Sequence, residues 1–106
     1  MKAQTKMVKS FYIAGFTYYE GALAFQHLHI GTKLKLVAEP KNRHDDYAVA
    51  LYFNQFKLGY IPARQNRTIA MLLNNGYNVF KAVVQQIDPH EHPEQQVRVA
   101  VFVKPA

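Results

Sequence analysis

Apolar and polar positions alternate along much of this chain, and an alternation of period two predicts β-strands. Residues 8–14 carry Phe11 and Ile13 on one face and stop at Gly15. Residues 33–38 alternate most cleanly, with Leu34, Leu36 and Ala38 facing one way and Lys33 and Lys35 the other. Residues 47–53 turn Val49, Leu51 and Phe53 inward, and Asn54-Gln55 then makes a two-residue hairpin connection into a strand over 56–61. Two further strands follow at 78–88 and 95–103. The first sets Val79, Lys81, Val83, Gln85 and Ile87 on one face, the second Val97, Val99, Val101 and Val103. Two prolines in the stretch between them predict a long hairpin with a rigid tip.

Between 61 and 78 the period changes. Ile69, Leu72 and Leu73 recur at helical spacing, Pro62 suits a first helical turn and Gly76 a C-terminal cap, so a helix is predicted over 62–75. A weaker pattern predicts a short helix near 20–28. Residues 39–46, EPKNRHDD, have the composition of a loop. Residues 1–7 read as a polar, lysine-bearing arm ahead of one domain over 8–103. Six strands and one good helix predict a mainly β (α+β) protein, a small, strongly curved or barrel-like sheet with the helix plugging one end.

Composition narrows the function. With 49% apolar and 13% aromatic residues in 106, the chain fills a core unaided. The lack of cysteine excludes disulfides, thiolate zinc sites and a catalytic thiol together. The longest stretch without formal charge, residues 68–80, is interrupted by asparagines and falls short of the about 20 apolar residues of a membrane span. The N-terminal residues have lysines but no apolar signal region, so a soluble cytoplasmic protein is expected. A net charge of +6 and a pI near 9.7 attract polyanions, nucleic acid first.

Candidate chemistry is sparse. Arg64 and Arg67, three apart at the predicted helix start, oppose the helix dipole and would make a phosphate site with the unpaired N–H groups there; two solvated arginines are the plainer alternative. Tyr18 and Tyr19 follow Gly15 in a segment too short for a core strand, and with Tyr60 they are the tyrosines expected at the surface, where rings beside basic residues stack on bases. Asp45 and Asp46 invite a catalytic or metal-binding reading, but adjacent strand-edge residues diverge and turn formation explains either one. Asp88, His90, Glu91, His92 and Glu94 form a second cluster, without the four-ligand spacing of structural zinc. No phosphate-loop, nucleophile-elbow or HExxH motif is present. No cofactor or catalytic centre is expected.

Three stretches in order resemble the HIRAN domain: FYIAGFTYYEG from Phe11, LKLVAEPKNRHDDYAVAL from Leu34, and KLGYIPARQNRTIAMLLNNG from Lys57. The middle stretch carries the specific pattern, an apolar strand, then EP-x-N-x-x-D-x-x-A-V, with G-Y-I-P ahead of a helix in the third. The resemblance implies a partly open, OB-like barrel. It also implies single-stranded DNA binding, since eukaryotic members attached to helicase-like motors capture free 3′-hydroxyl ends. Carried over by position, Tyr18 matches a tyrosine that stacks on the terminal base, and Asp45 an aspartate that accepts from the 3′-hydroxyl. Tyr60 and the start of the following helix match DNA-contacting positions. Two departures stand out. His44 replaces an aromatic tyrosine and Thr17 an arginine, which implies weaker or less end-specific binding.

The expected function is therefore a non-catalytic module for single-stranded DNA with a preference for 3′ ends, serving repair or fork processing and nucleoid-associated within the cytoplasm. Lys33, Lys35, Lys41, Arg43, Arg64 and Arg67 would supply attraction, Tyr18 stacking, and Tyr19, His44, Asp45 and Tyr60 the remaining contacts. Two alternatives differ in class: a protein-interaction module without a DNA role, and a small metal-dependent hydrolase built on residues 88–94.

Overall fold

The computed structural model describes residues 6–105. Six strands form one antiparallel sheet: β1 (Lys6–Tyr12), β2 (Lys33–Ala38), β3 (Val49–Phe53), β4 (Phe56–Tyr60), β5 (Phe80–Ile87) and β6 (Val97–Val103). Their order is β1-β6-β5-β2-β3-β4, so β1 and β4 are the two edges. The sheet curls without closing. At one corner the segment after β1 meets β4, where Ala14 and Tyr60 exchange backbone hydrogen bonds of 2.8 and 2.9 Å. Gly59 permits that approach: its φ is +143°, and a Cβ there would strike the Ala14 carbonyl oxygen. On the other side the β2–β5 ladder has two pairs, Lys33 with Val83 and Leu34 with Ala82, before the strands diverge.

Alternation selects the buried face as expected in most strands. Phe11 and Ile13, Leu34, Val49 and Leu51, and Val97, Val99 and Val101 all enter the core. In β5 the buried face is Phe80, Ala82 and Val84, opposite the one bearing Lys81 and Val83, and a bulge follows Val84. Asn54, at φ 51°, makes the tight turn between β3 and β4.

The helical segments differ from expectation. Pro62 has ψ 138°, extended rather than helical, so no helix starts there. A single 3₁₀ turn, Ala63–Gln65, follows, and the main helix α2 runs Arg67–Asn74 with Asn66 at its N-cap position. Its C-terminus matches: Gly76, at φ 85°, donates its N–H to the Leu73 carbonyl. The 20–28 segment divides into a four-residue helix α1 (Gly21–Ala24) and a 3₁₀ turn, Phe25–His27. Of the expected arm, residues 1–5 lie outside the described residues, while Lys6 and Met7 pair with Val103 and Phe102 in β1. The strand expected from 47 starts at Val49, because Asp45 folds residues 45–48 into a turn. Its side chain accepts the Tyr47 N–H at 2.8 Å and its carbonyl the Ala48 N–H at 3.1 Å.

Candidate nucleic-acid interface

The closed corner of the sheet holds a concave pocket of about 250 Å³. Its wall brings together four of the sequence candidates, Tyr19, His44, Asp45 and Tyr60, with Asn42 and Asn66 between them.

The loop before β3 is built on Asn42. Its side-chain oxygen accepts the N–H groups of His44 (2.8 Å) and Asp45 (3.2 Å), and its amide donates to Glu39 at 2.9 Å. One residue thus sets the direction in which His44 and Asp45 leave the loop. Asp45 Oδ1 accepts from Tyr47, and Oδ2 accepts from the Asn66 amide at 2.8 Å. Asn66 is 2% exposed and spends its amide on Asp45 rather than on capping α2. The Asp45 carboxylate is therefore held from two sides. Two of its roughly four lone-pair positions remain for a donor in the pocket.

The opposite wall is aromatic. Tyr19 and Tyr60 meet edge to face at 5.5 Å, with the Lys57 ammonium 4.8 Å and 4.5 Å from their ring centres. Tyr60 donates to Glu39 at 2.8 Å, and Lys57 bonds both the Tyr60 hydroxyl and, at 3.2 Å, Glu39. Burial pushes the Glu39 carboxyl up, but hydrogen bonds from Asn42, Tyr60 and Lys57 outweigh it and hold Glu39 below its ordinary value. Burial lowers Lys57, yet Tyr60 and Glu39 raise it overall; burial, then Glu39, pushes the Tyr60 phenol up. The result is a fixed ion pair behind two rings whose positions it sets.

The other candidates lie apart from this pocket. Tyr18 is 81% exposed on the adjoining turn, its ring presented to solvent. Arg67 lies over the Tyr47 ring at 4.9 Å. Arg64 is exposed in the 3₁₀ turn ahead of α2, so the two arginines do not share a first helical turn. Lys41 and Arg43 are exposed in the loop beside the pocket. Lys33 and Lys35 border a different cleft at the far end of β3. The β5–β6 tip is not wholly given to solvent: Glu94 accepts the Thr17 hydroxyl at 3.1 Å, beside Tyr18. Asp88 caps its own turn through the His90 N–H. Among the described residues, no group of three or more His, Asp and Glu is placed to hold a metal.

Sequence reasoning missed Glu39, Asn42, Lys57 and Asn66. Asn66 carried a usable signal as a favoured N-cap type, hidden by the assumed helix start at Pro62. Asn42, three residues before Asp45 in a turn-rich loop, carried a weaker one. Glu39 and Lys57 sit across β3 from each other, and nothing local pairs them.

The family model of the HIRAN domain matches residues 8–105, nearly the whole chain. The chain belongs to the HIRAN family. HIRAN domains are nucleic-acid-binding modules, and the fold is a binding rather than a catalytic one. A crystal structure of a protein from Lactobacillus plantarum is similar with a TM-score of 0.77 at 24% identity, covering 94% of this chain and 95% of that one. The crystal structure of the HIRAN domain of human HLTF is similar with a TM-score of 0.63 at 16% identity, covering 94% and 80%. Both share the fold of this chain. No curated protein sequence matches the chain. Among the described residues of this HIRAN domain, no helix is long and apolar enough to cross a membrane.

Proposed function

We propose that this HIRAN domain binds single-stranded DNA and prefers a free 3′-hydroxyl end, held in the pocket between Asp45 and Tyr60. The observation that carries the reading is a carboxylate fixed in the pocket of a basic protein. Asp45 repels any phosphate that approaches it, so it hinders binding along a phosphate backbone. Opposite a hydroxyl it accepts a charge-assisted hydrogen bond. On a strand that carries a 5′-phosphate, the terminal 3′-hydroxyl is the one such group. Tyr19 and Tyr60 offer ring surface to the last base or sugar, and Tyr18 a platform for a base. His44, whose imidazole stacks and donates, stands in for the tyrosine of eukaryotic relatives. Lys41 and Arg43 flank the entrance and meet the incoming phosphates. Such a module suits repair or fork processing in the cytoplasm, where 3′ ends are exposed.

A fluorescent oligonucleotide titration tests this directly. An oligonucleotide ending in a 3′-hydroxyl should bind clearly better than the same one ending in a 3′-phosphate, while 5′ changes have little effect. Equal binding of the two 3′ ends would leave Asp45 as a turn residue. No binding at any salt would leave the domain as a protein-interaction module.

A further inference from the structure

The divergence of β2 from β5 opens a second, larger cleft. Beyond the Leu34–Ala82 pair, β2 continues with β3 alone, pairing Lys35 with Tyr52 and Leu36 with Leu51. The wedge is about 570 Å³, with an apolar floor that includes Leu36, Leu73 and Phe80. Lys33, Lys35, Lys104 and Tyr52 stand around it. Lys104 is positioned by its backbone, whose N–H donates to the Val79 carbonyl at 2.8 Å. All three lysines are exposed, and none forms an ion pair among the described residues, where Lys57 with Glu39 is the one salt bridge. No acidic residue lines the cleft. The seven of the chain lie at 20, 39, 45 and 46 beside the end pocket and at 88, 91 and 94 on the β5–β6 tip.

Three uncompensated cations around an apolar and aromatic floor suit a ligand with phosphates outside and flat apolar faces within. A run of nucleotides has that form. An acidic peptide offers the charge without the planes, and a neutral apolar ligand leaves the lysines unused. We propose that this cleft is a second nucleic-acid site, which holds an internal phosphodiester segment of single-stranded DNA. Ala48 lines the end pocket and Asn54 the cleft, at opposite ends of β3. Six residue steps at about 3.3 Å separate the two sites by about 20 Å. At the roughly 3.4 Å axial rise per nucleotide of a stacked strand this span is about six nucleotides. The link between the sites rests on the end-capture reading, but the cleft itself does not.

The test uses the full chain and two charge-matched pairs: Lys33→Gln with Lys35→Gln in the cleft, and Lys6→Gln with Lys9→Gln on β1. All four side chains are exposed or half-buried, so both variants should fold. Binding is measured over a salt series to a circular single strand without ends, a long linear strand and a four-nucleotide strand. The cleft pair should lower the salt slope on the circle and the long strand by about 1.4, and Lys104→Gln alone by about 0.7. With end capture the four-nucleotide strand stays in the end pocket and neither changes its binding, whereas without it the cleft pair weakens this strand too; the β1 pair should leave the slope nearly unchanged. Equal losses from the two pairs would overturn the site and leave net charge as the cause. A poly-glutamate chain that displaces circular DNA as well as a polynucleotide of equal charge would also overturn it. If the two 3′ ends bind alike while the cleft pair still weakens the circle, end capture fails and the cleft stands.

Discussion

Replacing Asp45 with asparagine changes one charge at the centre of the end pocket and little else in shape. The native carboxylate accepts from the Tyr47 N–H and from the Asn66 amide, both at 2.8 Å. In Asp45→Asn the new oxygen can keep the Tyr47 bond, while the new NH₂ faces the NH₂ of Asn66. Two donors left opposed, that of Asn66 buried, would cost up to about 1–3 kcal/mol. Rotation of the Asn66 amide by a half-turn presents its oxygen instead and removes most of that penalty, so the melting temperature should fall only slightly. Binding should respond more. A hydrogen bond to a charged acceptor contributes about 1.5–3 kcal/mol, against about 0.5–1.5 for a neutral one. The difference, about 1–1.5 kcal/mol, lowers affinity for a 3′-hydroxyl strand roughly five- to tenfold. The same substitution relieves repulsion of a 3′-phosphate, so binding of that strand should hold or improve. The ratio between the two ends, read by fluorescence anisotropy at fixed salt, therefore contracts from both sides. An unchanged ratio, with the variant folded, would refute the role given to Asp45.

Tyr18→Ala should weaken single-stranded DNA by about 1–3 kcal/mol in the same titration without lowering stability, because the ring is 81% exposed; a stability loss with unchanged affinity would make the tyrosine structural. Gly59→Ala should destabilise the fold by about 1–3 kcal/mol or more in urea unfolding, since it adds left-handed strain and a backbone collision at Ala14; a midpoint within error of the parent would remove the argument for corner closure. Glu39 is held below its ordinary value, so its stabilisation is complete above the unfolded carboxyl value near ~4.3 and drains away as pH falls through the lower folded value. Lys57, raised, keeps its contribution until pH climbs past about 10.4. Glu39→Gln should therefore flatten the acid limb of stability below about pH 5 in urea midpoints taken from pH 3 to 7, and an unaltered limb would show that other carboxyls set it.

Period two located five of the six strands because most have one buried face, and the Asn54-Gln55 connection located the other. β5 shows the limit of the method. Lys81 and Val83 share a face with Val79, and nothing in that row says whether it or the row of Phe80, Ala82 and Val84 turns inward. Strand pairing decides the matter, and pairing is a property of the whole sheet. The helix start failed for a local reason. Proline tolerates both a first helical turn and an extended ψ, and Pro62 takes the extended one. That choice moved Arg64 out of the helix and concealed Asn66 at its cap. In the site, Tyr19, His44, Asp45 and Tyr60 were legible through their residue types and the family pattern. The polar scaffold behind them was not, because Glu39, Lys57 and Asn66 act across 18 to 21 positions of sequence.

Charge is distributed unevenly along β3, and the two proposals use that asymmetry in one way. The end pocket lies at the acidic end, with Asp45 inside it and Glu39 behind Tyr60. The lysine cleft lies at the other end, with no acid on its wall. Every internal nucleotide carries a phosphate, so the body of a strand suits the lysine cleft and the Lys41 and Arg43 entrance and is repelled by Asp45 inside the end pocket. On a 5′-phosphorylated strand the 3′ terminus alone offers a hydroxyl, from which the acid accepts a hydrogen bond. A 5′-phosphorylated strand placed the other way would set its terminal phosphate against Asp45, which repels it. Polarity then follows from where the acids are absent as much as from where Asp45 is present. Net charge alone attracts DNA in either direction; in the proposed arrangement the carboxylate inside one pocket, with none on the wall of the other, supplies the direction.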